Sequence, residues 1–141
     1  MKRRTFLGAA PVAAGLTALA GESRAQATDP SAALRLGVIG VGDRGRDLIR
    51  AFMRTGQVEV TALCDANPSR LKVGRFLARQ ETADFQDYRR MLDESEIDAV
   101  VVASPLHLHA EHTLAALDHD RHVYCEIALG HTIDQCRKVT E

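Results

Sequence analysis

Three observations in the sequence predict an α/β fold, a doubly wound parallel sheet with strands ordered 3-2-1-4-5. Short apolar runs alternate with stretches whose apolar residues recur at helical spacing. A glycine turn, Gly40-Val41-Gly42-Asp43-Arg44-Gly45, joins the first run to the first helix. Asp98-Ala-Val-Val-Val-Ala103 is a continuous β-branched run, the pattern of a strand covered on both faces.

The chain opens on a segment that reads as separate from this fold. Met1-Lys-Arg-Arg-Thr-Phe-Leu7 is basic, Phe6 to Ala20 is apolar but broken by Gly8, Pro11 and Gly15, and Ala25-Gln26-Ala27 is an A-x-A cleavage site. The apolar part is short and broken for a membrane span, which takes about 20 residues. Residues 1–27 therefore read as an export signal, leaving no stable span once it is cleaved. Arg3-Arg4 followed by Phe6-Leu7 resembles the twin-arginine class, with Lys2 where Ser or Thr is usual and Gly8 where Lys is usual. An ordinary secretory signal or an uncleaved anchor is the alternative. The expectation is a periplasmic or otherwise exported bacterial protein. Residues 28–33 form a polar lead-in.

Leu34 begins the first strand, and Leu48, Ile49, Phe52 and Met53 lie at helical spacing after the glycine turn. Gly40 permits the sharp bend, Gly42 has no side chain to hold a pyrophosphate off the backbone, and Gly45 lets helix and strand pack closely. Amides and the positive dipole end at the helix start complete an anion site. A second strand, Val58 to Cys64, leads to Asp65, twenty residues after Gly45. A carboxylate there accepts hydrogen bonds from the adenosine ribose and repels a 2′-phosphate, which points to NAD, with NADP as the alternative. An ordinary turn beside a solvated Asp65 is the plainer reading, and the joint placement of strand, helix and acid argues against it.

Asn67-Pro68 opens a second helix, with Val73, Phe76 and Leu77 on the expected buried face. A short extended piece follows at Asp84-Phe85, then a helix with Tyr88, Met91 and Leu92. After the fourth strand, Ser104-Pro105 reads as an N-cap and first-turn proline of a helix whose stripe is Leu106, Ala110, Leu114 and Leu117. His122-Val-Tyr-Cys-Glu126 is the fifth strand, and Thr132 with Gln135 forms a capping box for a last helix with Ile133, Cys136 and Val139. That helix runs into Glu141 without a stop signal.

The composition, 45% hydrophobic and 26% charged over 141 residues, is that of one ordinary globular domain. Removing residues 1–27 takes Lys2, Arg3, Arg4, Arg24 and Glu22 and leaves a formal charge of −4. That is the wrong sign for a phosphate-backbone binder, and no nucleic-acid function is expected. Cys64 and Cys125 fall on strands about 14 Å apart in the expected order, too far to bridge, so both read as buried thiols. A pairing of Cys125 with Cys136 stays open.

Among candidate groups, His109 sits at the crevice, either for a ligand or for a helix-terminal hydrogen bond. His112 and His119 are seven residues apart, about 10.5 Å of rise, so no single ion takes both. No metal site is expected, and these histidines read as a solvated or interface face. Glu126 either orients a ligand group or accepts backbone N–H bonds. The carboxylates of 81–98 read as a solvated helix face.

Gly40-Val-Gly-Asp-Arg-Gly45, Cys64-Asp65-Ala-Asn67-Pro68, Ala103-Ser104-Pro105-Leu-His-Leu-His109 and His122-Val-Tyr-Cys-Glu126 together resemble the nucleotide-binding half of the glucose-fructose oxidoreductase, inositol dehydrogenase and rhizopine catabolism (Gfo/Idh/MocA) family, over roughly residues 34–139. The resemblance implies a Rossmann-type NAD(P)-binding domain over 34–141 and hydride transfer to or from a sugar, polyol or related cyclic compound. It implies that the loop Gly40, Val41, Gly42, Asp43, Arg44 and Gly45 meets the pyrophosphate and Asp65 the ribose. Ser104, Pro105 and His109 would lie on the nicotinamide side, and Glu126 at the nicotinamide end.

Two departures accompany it. The family continues its fifth strand as Glu-Lys-Pro, whereas this chain has Glu126-Ile127-Ala128, and isoleucine can supply neither a proton nor a charge-assisted hydrogen bond. The catalytic group is therefore left unassigned. The family also carries a second, substrate domain that builds the oligomer, so the chain is expected to be an N-terminal piece of a longer homo-oligomer, or else a vestigial binding domain. Two further readings stand beside the dehydrogenase: an NAD-dependent glycoside hydrolase of the same family, compatible with Ile127, and a non-catalytic nucleotide-binding protein.

Overall fold

The computed structural model describes residues 33–79 and 81–141. The export signal expected at 1–27 and nearly all of the lead-in lie outside the described residues. The chain runs β1 (Leu34–Ile39), α1 (Asp43–Met53), β2 (Val58–Cys64), α2 (Pro68–Ala78), β3 (Ala83–Phe85), α3 (Tyr88–Glu94), β4 (Ala99–Val102), a 3-10 turn (Leu106–Leu108), α4 (His109–Asp118), β5 (His122–Cys125) and α5 (Ile133–Thr140). The strands form one parallel sheet ordered β3-β2-β1-β4-β5, as the alternating pattern predicts.

All four residues of β4 are buried, and strand alternation sends them both ways. Val101 joins Leu36, Val38 and Val60 in the layer under Leu48 and Ile49 of α1 and Leu71 of α2. Val100 and Val102 join Ile39 and Ala62 in the layer under Met91 and Leu92 of α3 and Ala116 of α4. The sheet is thus covered on both faces, with its strand ends left at one crest.

Several elements depart from the expected pattern. α2 buries Leu71, Gly74 and Ala78 rather than Val73, Phe76 and Leu77, and Phe76 is 81% exposed. The cause is the closeness of the helix: a Cβ on Gly74 would come within 2.7 Å of Val41 and 2.9 Å of Leu63. Only glycine fits at 74, so the helix sits with Leu71 buried, Leu77 half-buried against the core, and Val73 and Phe76 exposed. The helix expected from Ser104-Pro105 starts later, at His109, after the 3-10 turn. Its buried face is His109, Ala110, His112, Thr113 and Ala116, while Leu106 and Leu117 are exposed. Of the two histidines read as a solvated or interface face, His112 is buried against the Ser104 hydroxyl, whereas His119 is half-buried and reaches the Ala115 carbonyl oxygen and Asp93. β5 ends at Cys125 and is an edge strand with alternate residues exposed, so Glu126 lies just beyond it.

The capping signals hold: the Asn67 side chain accepts from the Ser69 N–H, and Thr132 with Gln135 closes a capping box on α5. Asp98, expected on a solvated face, is tucked against β1, where it accepts from the Arg35 N–H and guanidinium. All three cysteines are free, Cys64 buried and Cys125 half-buried.

Candidate functional site

A cleft of about 550 Å³ opens at the crest, between the carboxyl ends of β1, β2 and β4. The glycine turn forms one wall, and its three glycines stand in different surroundings. Gly40 has φ +94°, and a Cβ there would lie 2.5 Å from the Ala103 carbonyl oxygen. A Cβ on Gly45 would lie 1.9 Å from the Gly40 carbonyl oxygen. Gly42 has an ordinary φ of −70° and nothing within 4 Å of its missing Cβ. The fold itself makes no demand for glycine at 42; the open space belongs to the cleft. Gly42 is also the N-cap of α1 and no side chain caps the helix, which leaves the first-turn amides beside Asp43 and Arg44 for a ligand.

Asp65 closes the β2 side. It is 8% exposed, its Oδ2 accepts from the Val41 N–H at 2.8 Å and its Oδ1 from the Asn67 N–H at 2.8 Å. The carboxylate thereby ties the glycine turn to the start of α2. Arg70 stands 3.7 Å from Oδ2 with its side chain 55% exposed, and both residues line the cleft.

The β4 side brings Ser104 and Pro105 to the cleft, and His112 and Tyr88 with them. The Ser104 hydroxyl lies 2.9 Å from His112 Nδ1, the His112 ring packs at 4.3 Å on Tyr88, and the Tyr88 hydroxyl donates to Glu111 at 2.6 Å. Burial lowers the His112 pKa, and burial, with Glu111, pushes the Tyr88 phenol up to about 12. His109 is behind this wall rather than on it: it is 3% exposed, with Nδ1 2.7 Å from the Ala128 carbonyl oxygen and Nε2 2.7 Å from that of Ser104. It fastens the loop after β4 to the loop after β5.

Glu126 neither accepts backbone amides nor stands free. Its carboxylate takes a 2.8 Å ion pair from Arg44, and the Tyr124 hydroxyl donates to it at 3.3 Å. The Arg44 hydrogen bond holds its pKa below the usual carboxylate range. Ile127 is 93% exposed and brings no polar group.

The structure thus brings Gly40, Gly42, Asp43, Arg44, Asp65, Ser104 and Pro105 to one cleft, while Val41 and His109 are buried supports. Gln86, Tyr88 and His112 also line it and escaped the sequence reading. Gln86 and Tyr88 follow β3 directly, so the rule that ligands meet the carboxyl ends of strands would have found them. Among the described residues no group of three or more His, Cys, Asp or Glu could hold a metal ion. The residues present fit a dinucleotide: open space at Gly42, uncapped amides, and a buried carboxylate at the end of β2.

Comparison with known proteins points the same way. The family model described as oxidoreductase family, NAD-binding Rossmann fold, matches residues 34–141. The chain is 34% identical over 143 residues to a glycosyl hydrolase family 109 protein of Stenotrophomonas maltophilia, covering 94% of this chain and 31% of that protein. It is 30% identical over 109 residues to an inositol 2-dehydrogenase of Salmonella typhimurium, covering 77% of this chain and 32% of that one. Among solved structures it resembles myo-inositol dehydrogenase from Lactobacillus casei in complex with NAD(H) and myo-inositol, with a TM-score of 0.72 and 27% identity over 77% of this chain and 32% of the other. The chain spans between a quarter and a third of the length of the relatives it matches.

Proposed function

Because the chain belongs to the Gfo/Idh/MocA oxidoreductase family, with its NAD-binding Rossmann fold, we propose that it supplies the dinucleotide-binding domain of an NAD-dependent oxidoreductase acting on a sugar, polyol or related cyclic compound. The observation that carries this reading is Gly42, the one glycine of the turn that the fold does not need and a pyrophosphate does. When bound, the nicotinamide supplies the hydride chemistry, and the protein supplies position and polarity.

In this reading the amides following Gly42 hold the pyrophosphate, and Asp65 turns its remaining acceptor capacity to the ribose. Ser104 and Pro105 bound the far side of the crevice. Arg44 and Glu126 stand at the end away from Asp65, and His109 keeps the loop between them in place. Titrating the chain with NADH and NADPH while following nicotinamide fluorescence tests it: tighter binding of NADH is expected. Equal or tighter binding of NADPH would move the cofactor assignment to NADP, and binding of neither would remove the dinucleotide reading.

A second reading has its own support. The glycosyl hydrolase family 109 relatives align over up to 94% of the chain, and Ile127 leaves the family lysine position without a proton donor. In the full-length protein, NADH release from a free polyol supports the dehydrogenase, and cleavage of an aryl glycoside without net NADH supports the hydrolase. Neither activity would leave a nucleotide-binding protein. Export by the twin-arginine route and assembly of the full-length protein as a homo-oligomer belong to the same proposal. Replacing Arg3 and Arg4 by lysine should retain the protein in the cytoplasm, and native mass spectrometry of the exported form gives its subunit number.

A further inference from the structure

Arg44 and Glu126 are 82 residues apart in sequence and come from different walls of the crest. Arg44 rises from the first turn of α1 beside β1 and lines the cleft; Glu126 follows β5. β4 lies between those strands, so the pair crosses the carboxyl end of β4. It is a built contact. Glu126 has only 16% of its side chain exposed, Tyr124 donates to the same oxygen, and the Phe52 ring sits edge-on to Tyr124 at 5.5 Å. Asp43, next in sequence to Arg44, is turned away onto Arg46 and does not compete.

This inference rests on the dinucleotide reading. With adenosine at Asp65 after β2 and the pyrophosphate at the glycine turn over β1, the nicotinamide half is left the side of the crest toward β4 and β5. That half changes charge in the reaction class proposed: the oxidised ring is cationic and the reduced ring neutral. We propose that the Arg44–Glu126 pair sets the balance between oxidised and reduced dinucleotide by keeping the net charge at that end near zero. With the pair intact, neither form is strongly favoured by charge. Removing Arg44 exposes an unneutralised carboxylate, which attracts the cationic ring; removing Glu126 leaves an arginine facing the cleft, which repels it.

The test is the ratio of NAD⁺ to NADH dissociation constants, measured by calorimetry on the full chain for wild type, Arg44→Gln, Glu126→Gln and the double variant. Both forms carry the same pyrophosphate, so any loss of phosphate affinity at Arg44 cancels in the ratio. The ratio should move about fivefold toward NAD⁺ in Arg44→Gln, about as far toward NADH in Glu126→Gln, and back to the wild-type value in the double variant. Arg44→Lys should keep it near wild type, which separates charge from folding damage. The shifts should shrink as salt is raised. If all variants change both affinities by one factor, the inference is overturned while the dinucleotide reading stands. If wild type binds neither form, both fall.

Discussion

An alanine at Gly45 would drive its Cβ into the Gly40 carbonyl oxygen, whereas an alanine at Gly42 would meet nothing in the protein. Gly45→Ala should therefore lose at least about 3 kcal/mol of stability, since backbone rather than a movable side chain must give way. Gly42→Ala should lose no more than about 1 kcal/mol, the cost of alanine at an N-cap, yet bind NADH at least about tenfold more weakly. Urea denaturation paired with fluorescence titration separates the two effects; a Gly42→Ala protein that binds normally would remove the argument from open space. Asp65 is tested in the same way. Its two oxygens accept from the Val41 and Asn67 amides, and an asparagine would turn an NH₂ group toward one of them. Asp65→Asn should cost about 1–3 kcal/mol, the price of one buried unsatisfied amide, in an equilibrium unfolding curve taken without ligand.

At the scale of elements, α2 and α4 carry their small and polar residues inward. Phe76 projects from α2 into solvent, so Phe76→Ser should change stability by no more than about 0.5 kcal/mol in urea denaturation; a loss of several kcal/mol would mean that α2 buries the face its apolar spacing suggests. His112 on α4 and His119 at its C-cap titrate in opposite senses. The Ala115 carbonyl and then Asp93 raise the His119 pKa, so its contribution is present below about pH 6.5 and is lost as pH rises through the raised value. Burial lowers the His112 pKa, so its contribution is present above about pH 6.5 and is lost as pH falls toward the depressed value. Unfolding free energies measured from pH 5 to 8 should therefore lose their alkaline decline in His119→Gln and their acid decline in His112→Gln. Reversed effects would place the burial on the wrong histidine.

For the whole molecule, the cleft joins segments that follow four strand ends, those of β1 to β4, and a ligand seated there links them. Binding to the folded state alone should add about 2.7 kcal/mol at a hundredfold excess of NADH over its Kd. A thermal scan across NADH concentrations should show the melting temperature climbing with the logarithm of concentration. A melting temperature indifferent to NADH would show that the crest is no binding site. β5 closes the sheet as an open edge, with Tyr124 and Ile127 exposed beside it, in a chain that spans about a third of the myo-inositol dehydrogenase structure it resembles.

The order of strands, the glycine turn, Asp65 at the end of β2 and the caps at Asn67 and Thr132 were all legible in the sequence, because each depends on local spacing and on the chirality of βαβ crossovers. The inward face of α2, the burial of His109 and His112, and the partner of Glu126 were decided only in three dimensions. Gly74 is buried because Val41 and Leu63 approach it from two other elements, and the α4 histidines are buried because Ser104, Ala128 and Tyr88 satisfy them there. The Arg44–Glu126 pair exists because the sheet sets β1 and β5 on either side of β4. Helical periodicity records which residues share a face; which face turns inward depends on how near the sheet lies and on what polar partners wait there, and those are properties of the assembled chain.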